Sequence, residues 1–262
     1  MPLEASVFGT DVISSEAEEY RISFTPDGQT AYFARSDGFF PQTREATILE
    51  AQLVDGEWTE PVTASFSGTY PDIDPWVAPD GSSLYFSSIR PVDGDERSDA
   101  DVWRVNREGD EWGEPVHLGP INSDSDELGA SVTADGVLWF ASGRLGGAGG
   151  WDLYTAQPSG DDFAAPEPVT EFNTEIWEFN PAIRADGNLL VFTSIQRPGG
   201  SGLGDLFFAT RSDDGAWSAE EPVPINTRAD EYHASFSPDD QKLFFVRRAL
   251  SGDLYEMAWP IP

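Results

Sequence analysis

Four carboxylates, Asp72, Asp74, Glu127 and Glu178, and two indoles, Trp76 and Trp177, are the side chains of this sequence best suited to chemistry on a sugar. Cleavage of a glycosidic bond needs a pair of carboxyl groups flanking it, roughly 5–10 Å apart according to mechanism. An indole beside them offers a face for a ring to stack on. If this chemistry operates, Asp74, Glu127 and Glu178 are the acids expected to carry it. Asp72, Asp74 and Trp76 fall together in "DIDPWVAPDGSSLYFSSIRP", residues 72–91. Whether these acids serve a reaction or a fold depends on whether the stretch recurs.

Other chemistries find less support. His117 and His233 are the only histidines and cysteine is absent, which leaves too few ligands for a zinc site. No Gly-x-Ser-x-Gly elbow is present, and the glycine-rich "RLGGAGGWD" joins two strands without opening a helix, so neither a serine nucleophile nor a phosphate loop is expected. "DGDERSDAD" (93–101) and "NSDSDE" (122–127) alternate acids as a calcium loop does, but Arg97 stands where an oxygen ligand is wanted. No cofactor or metal is expected, with calcium as the one weak candidate.

The net charge is −32, which disfavours nucleic acid and anionic membranes as partners. Lys242 is the sole lysine, so nearly all positive charge is arginine, suited to holding carboxylates through paired hydrogen bonds. No apolar run approaches the roughly 20 residues that would span a bilayer. "MPLEASVFGTD" has neither a basic nor an apolar segment of the signal-peptide kind.

The opening stretch does recur. "EYRISFTPDGQTAYFAR", "DIDPWVAPDGSSLYFSSIR", "ELGASVTADGVLWFASGR", "EFNPAIRADGNLLVFTSIQR" and "EYHASFSPDDQKLFFVRR" place turn aspartates at Asp27, Asp80, Asp135, Asp186 and Asp239, 53, 55, 51 and 53 residues apart. Each unit reads as an apolar strand, an Asp-Gly turn, an aromatic strand, a variable loop, a third strand and a fourth ending near Pro-Val. Four antiparallel strands per repeat describe a propeller blade. The expected architecture is an all-β, five-bladed β-propeller in one domain, residues 1–262. Its repeats lie near 17–65, 66–119, 120–170, 171–224 and 225–262. The last unit lacks a fourth strand, and the leftover segment 3–9, "LEASVFG", is expected to pair there and close the ring.

"INSDSDELGASVTADGVLWFASGRLGGAGGWDLYTA" (121–156) resembles the WD40-like PD40 repeat of TolB-like propellers. TolB propellers have six blades and a further N-terminal domain, whereas five repeats stand here. The resemblance implies a periplasmic or secreted setting, with a cytoplasmic one left open, and a fold that serves many functions. Five-bladed arabinanase-like propellers, by comparison, keep three carboxylates at the channel mouth.

The repeat brings an acid, an arginine and a second acid to one end of each blade. Glu19, Asp72, Glu127, Glu178 and Glu231 start the first strands. Arg35, Arg90, Arg144, Arg197 and Arg248 end the second strands. Asp101, Asp152, Asp205 and Asp253 start four of the third strands. This ring is expected to be structural, each arginine bridging two carboxylates. Two residues after each ring acid stand Arg21, Asp74, Gly129, Asn180 and His233, which share no chemistry. Arg21, Asp74, Trp76, Trp177, Asn180 and His233 are therefore the expected ligand-binding set, with Trp76 also able to plug the channel. The loops 36–45 and 91–100 should rise on the same face. The leading expectation is a monomeric, non-catalytic module binding a protein, peptide or glycan at this mouth. The alternative is a glycoside hydrolase.

Overall fold

A computed structural model describes residues 4–259. Five antiparallel sheets form a five-bladed propeller. The first, innermost strands are Glu18–Phe24, Asp72–Val77, Glu127–Val132, Glu178–Ile183 and Asp230–Phe236. Each pairs with a second strand across the Asp-Gly or Asp-Asp turn. Gly28, Gly81, Gly136 and Gly187 supply the left-handed residue there, and Asp240 does so in the fifth blade at φ 57°. The third strands, Thr47–Val54, Asp101–Glu108, Asp152–Ala156, Gly204–Thr210 and Gly252–Ala258, follow outward.

The fourth strands are short and broken. In blade one, Glu57–Trp58 hairpins back onto the third strand and Val62–Thr63 rejoins it, with Pro61 between them. Proline has no N–H to donate to the ladder, which is why an uninterrupted strand does not form. Ala5–Val7 pairs with Gly252–Ala258, Ala5 opposite Met257 and Val7 opposite Tyr255, and Phe8 N–H extends the pairing to the Leu254 carbonyl at 2.8 Å. The ring is thus closed by the start of the chain; position 3 of the expected closing segment lies outside the described residues, as do 260–262. No helix of the described residues is long and apolar enough to cross a membrane.

The aromatics near Pro-Val pack between blades. Trp112 donates its indole N–H to the Tyr32 hydroxyl at 2.9 Å, Trp217 meets Trp139 edge-on, and Trp58 lies against Phe8 and Phe24. Serines of the first strands stitch neighbouring blades: Ser23 Oγ accepts from Val77 N–H at 2.9 Å, and Ser131 Oγ from Ile183 N–H at 3.3 Å.

The ring of charge is arranged differently from the expected double bridge. Glu19, Asp72, Glu127, Glu178 and Glu231 are fully buried. Their arginines are Arg35 at 2.9 Å, Arg90 at 2.7 Å, Arg144 at 3.3 Å, Arg197 at 3.1 Å and, in blade five, Arg247 at 2.7 Å. Arg248, the residue expected there, instead pairs with Glu18 at 3.2 Å. The cause is register: Glu231 lies opposite Arg247, so the next residue points to the other face of the strand. Nor do the arginines take a second acid from the third strand. Arg197 alone bridges two carboxylates, its second being Glu220 ahead of the fourth strand at 2.8 Å, and each of the five also donates to the turn before its blade, at the carbonyls of Ile13, Phe66, Ile121, Phe172 and Ile225. Each guanidinium also lies over an aromatic of its own second strand, Phe33, Phe86, Phe140, Phe192 or Phe245.

Asp152 and Asp205 accept backbone N–H groups of Gly149 and of Ser201 and Gly202, tying down the preceding loops. Asp101 takes Arg97 and His117, at 3.3 and 3.2 Å. Asp253 is half-buried, and burial pushes its carboxyl up.

A repeated element absent from the expectations completes the ring. Asn122, Asn173 and Asn226 each bridge the N–H and carbonyl of a third-strand residue, Val102, Leu153 or Leu206. The next residue, Ser123, Thr174 or Thr227, donates both its N–H and its hydroxyl to the ring glutamate four positions on. The signal was present as Asn-Ser/Thr-x-x-x-Glu in three of the five units.

Candidate ligand-binding site

Every first strand carries a β-bulge just after its ring acid. The extra residue turns the strand so that two successive side chains face the channel mouth instead of alternating. The residue directly after the acid is apolar or aromatic in all five blades: Tyr20, Ile73, Leu128, Phe179 and Tyr232. All five line one pocket of about 430 Å³. Its walls are completed by Phe39, Phe40, Trp151, Trp177, Ile195 and Leu203. Sequence reading passed over this wall, although five apolar residues at one repeat position were there to be seen.

The residue after that forms the floor. Asp74, Asn180 and His233 adopt φ of 58°, 48° and 54°, and Gly129 shares the conformation at 64°. These left-handed values suit Asn, Asp, His or Gly and strain larger or branched residues, so the fold does constrain a position that looked free. The expected polar set is brought together, but its members face one another. Asp74 Oδ1 meets His233 Nδ1 at 2.7 Å, and Oδ2 accepts from Asn180 Nδ2 at 2.9 Å. Gly129 has no side chain because a Cβ there would stand 2.6 Å from Asn180 Nδ2.

Arg21 lies beneath this floor, fully buried. It donates to the carbonyls of Ala130 at 3.0 Å, Asn180 at 3.1 Å and Pro181 at 2.7 Å, spanning the channel from blade one to blades three and four. Its guanidinium lies over the Trp76 ring at 5.2 Å. Trp76 is itself buried and lines a separate cavity of about 150 Å³ among Pro26, Pro79 and Pro238, at the hairpin-turn end of the channel. Of the expected binding set, then, Arg21 and Trp76 plug the channel. Asp74, Asn180, His233 and Trp177 are the members that reach the pocket.

The electrostatics follow from this packing. Burial works to raise the Asp74 carboxyl, but the adjoining His233, Arg21 and Asn180 outweigh it and hold the group below the usual carboxylate range, so it is ionised. Burial lowers Arg21 to about 10, against the pull of Asp74. Burial also pushes the Tyr20 hydroxyl up to about 12, and Tyr232 higher still.

The loop before blade one's third strand folds back as a single helical turn, Phe40–Thr43. Phe40 is buried against Tyr20, whose hydroxyl accepts the Phe40 N–H at 2.8 Å, while Phe39 stays half-exposed beneath Arg248. In the loop 91–100, Arg97 pairs with Asp99 as well as Asp101, so two of the acids considered for calcium are held by a guanidinium. Trp177 is 47% exposed at the rim and leans on Trp151 at 5.3 Å between ring centres. It sits over Gly150, where any Cβ would collide with the indole. A second, more polar hollow of about 430 Å³ lies on the far side of this tryptophan pair, among Arg44, Ser98, Asp99, Ser125 and Asp126.

Glu127 and Glu178, the other acids of the hydrolase expectation, are absent from the pocket. Both point into their blades, bound to arginine and to Ser123 or Thr174. The second carboxylate on the pocket is Asp230, which accepts the Tyr232 hydroxyl at 3.0 Å.

No protein-family model matches the sequence, and no curated protein does. Solved structures are similar in fold. A putative TolB from Agrobacterium tumefaciens is 17% identical with a TM-score of 0.58, over 89% of this chain and 71% of that one. An endo-arabinase from Bacteroides thetaiotaomicron is 13% identical with a TM-score of 0.63, over 96% of each chain. A thermostable family-43 glycoside hydrolase is 12% identical with a TM-score of 0.60, over 96% of this chain and 91% of that one. At such identities the likeness is one of architecture: the chain is a five-bladed β-propeller shared in form with TolB-like and glycoside-hydrolase propellers.

Proposed function

We propose that this protein is a non-catalytic binding module of the PD40 propeller type, taking a protein, peptide or glycan ligand in the aromatic pocket of the mouth. The observation that carries the reading is the state of the floor. Asn180 and His233 engage both oxygens of Asp74, and Arg21 closes the channel behind them. A pocket walled by aromatics over a neutralised polar floor is built to hold a ligand. Its rim tryptophan supplies an exposed anchor, and aromatic anchors of this kind dominate binding energy at interfaces. An exported or periplasmic setting belongs to the same reading and is checked by cell fractionation.

The test is a panel of peptides and oligosaccharides followed by tryptophan fluorescence, with Trp177→Ala as the control variant. Ligands should bind the wild type at least tenfold more tightly than the variant, with melting temperatures alike. Hits that ignore the substitution would remove the pocket from the function.

Glycoside hydrolysis is the second reading, favoured by the presence of two carboxylates, Asp74 and Asp230, on one pocket. It predicts release of reducing sugar from some oligosaccharide, lost in Asp230→Asn. Absence of turnover across a broad panel leaves the binding reading in place.

A further inference from the structure

The pocket is rich in apolar wall and poor in free hydrogen-bonding groups. One Asp74 oxygen is committed to His233 and the other to Asn180. Asp230 accepts the N–H groups of Leu203 and Gly204, each at 3.1 Å, and the Tyr232 hydroxyl. Arg248 holds Glu18 and stacks on Phe39 at 4.3 Å. What remains on the floor are Nε2 of His233 and Oδ1 of Asn180, neither of which has a partner among the described residues, with Nη1 of Arg248 at the side. The Asp74 carboxylate at 2.7 Å accepts the Nδ1 proton of His233 and fixes the ring, which leaves Nε2 as the nitrogen available to a ligand.

We infer that the pocket selects a ligand with an apolar ring-like body and a single hydroxyl, as in the side chain of tyrosine, the hydroxyl pairing with His233 Nε2. The inference rests on the binding reading above and narrows it. A pyranose fits these walls poorly. It carries several hydroxyls, the pocket has few uncommitted partners for them, and each one left unpaired costs roughly tenfold in affinity. A carboxylate-bearing ligand meets Asp74, Asp230 and the field of a chain at −32. A site that hydrogen-bonds a hydroxyl discriminates strongly against the analogue lacking it, because its own polar group is then left dry and unpaired.

The experiment compares N-acetyl-tyrosinamide, N-acetyl-phenylalaninamide and methyl β-glucoside, titrated into the protein while the indole N–H signals are followed by NMR. Tyrosinamide should bind at least tenfold more tightly than phenylalaninamide. His233→Asn, which tolerates the left-handed backbone, should erase that preference while keeping the residual affinity of the phenylalanine compound. Equal affinity for the two amides in the wild type overturns the inference without recourse to any variant, as does a preference that survives in His233→Asn. Glucoside binding in preference to both amides overturns it too, yet leaves the pocket as a ligand site. No change at the Trp151 and Trp177 indoles with any of the three counts against the inference and the binding reading together.

Discussion

Asp74 and His233 stand 159 residues apart in sequence and 2.7 Å apart across the channel. Each sits on a bulge of its own blade, in a left-handed conformation. Their contact makes the mouth one site fed by blades two and five, and Asn180 brings in blade four.

The floor is structural as well as functional. Asp74→Asn preserves shape but leaves Arg21, which is wholly buried, without its counter-charge. The two groups act on each other through charge without direct contact, and leaving a buried charge uncompensated costs on the order of a few kcal/mol. Urea denaturation should therefore show a large drop in midpoint for Asp74→Asn. A loss below about 1 kcal/mol would mean that Arg21 is held by its carbonyl acceptors alone.

Adjacent arginines of blade five should behave unequally. Arg247 neutralises the fully buried Glu231, whereas Arg248 pairs with Glu18 at a more exposed edge, its side chain 29% accessible. Arg247→Ala should destabilise by about 3 kcal/mol, since it strands a buried carboxylate. Arg248→Ala should cost less than about 1 kcal/mol. Chemical denaturation of the two variants side by side checks the order; the reverse order would refute the assigned register.

Gly129→Ala should disturb the site from a distance. The residue has φ 64°, and an added Cβ would press on Asn180 at both Nδ2 and Cα. Strain at positive φ together with this clash should cost about 2 kcal/mol. The Asn180 side-chain amide signals in NMR should shift as its bond to Asp74 is displaced. An unshifted amide would show that the floor does not depend on the missing side chain.

Mild acid should stabilise the fold. Burial pushes the carboxyls of Glu19, Asp72 and Glu127 above their ordinary values of 4.5, 3.8 and 4.5, despite hydrogen bonds and arginines that act the other way. A carboxyl with a higher pKa when folded binds more protons in the folded than in the unfolded chain at intervening pH. Stability therefore rises as pH falls through the folded pKa towards the unfolded one. Relief of self-repulsion at −32 adds to it. Further down the sign reverses. Asp186, lowered chiefly by its hydrogen bond from Arg184, contributes stability that is lost as pH falls through its folded pKa, and Asp74 does likewise. The melting temperature should climb as pH falls from neutrality towards the ordinary carboxylate range and drop once pH passes below it. A steady decline from neutrality would contradict the burial of the ring acids.

The sequence by itself determined the five blades, the ring closure and the end of each blade at which charge gathers. All three are written in residue periodicity, and strand pairing between neighbours is a local consequence of it. Only the tertiary structure decided which polar residues meet. Asp74, Asn180 and His233 share one repeat position, but that their side chains bond to one another across the mouth is decided by the bulges of three different blades. The same holds for Arg247 against Arg248: two identical side chains in succession point to opposite faces of a strand, and the register of the pairing chooses between them. The wall of the pocket shows how the two levels join. Tyr20, Ile73, Leu128, Phe179 and Tyr232 share one repeat position and so were legible as a set, but the bulge that turns them from blade core to channel mouth is a property of the folded backbone.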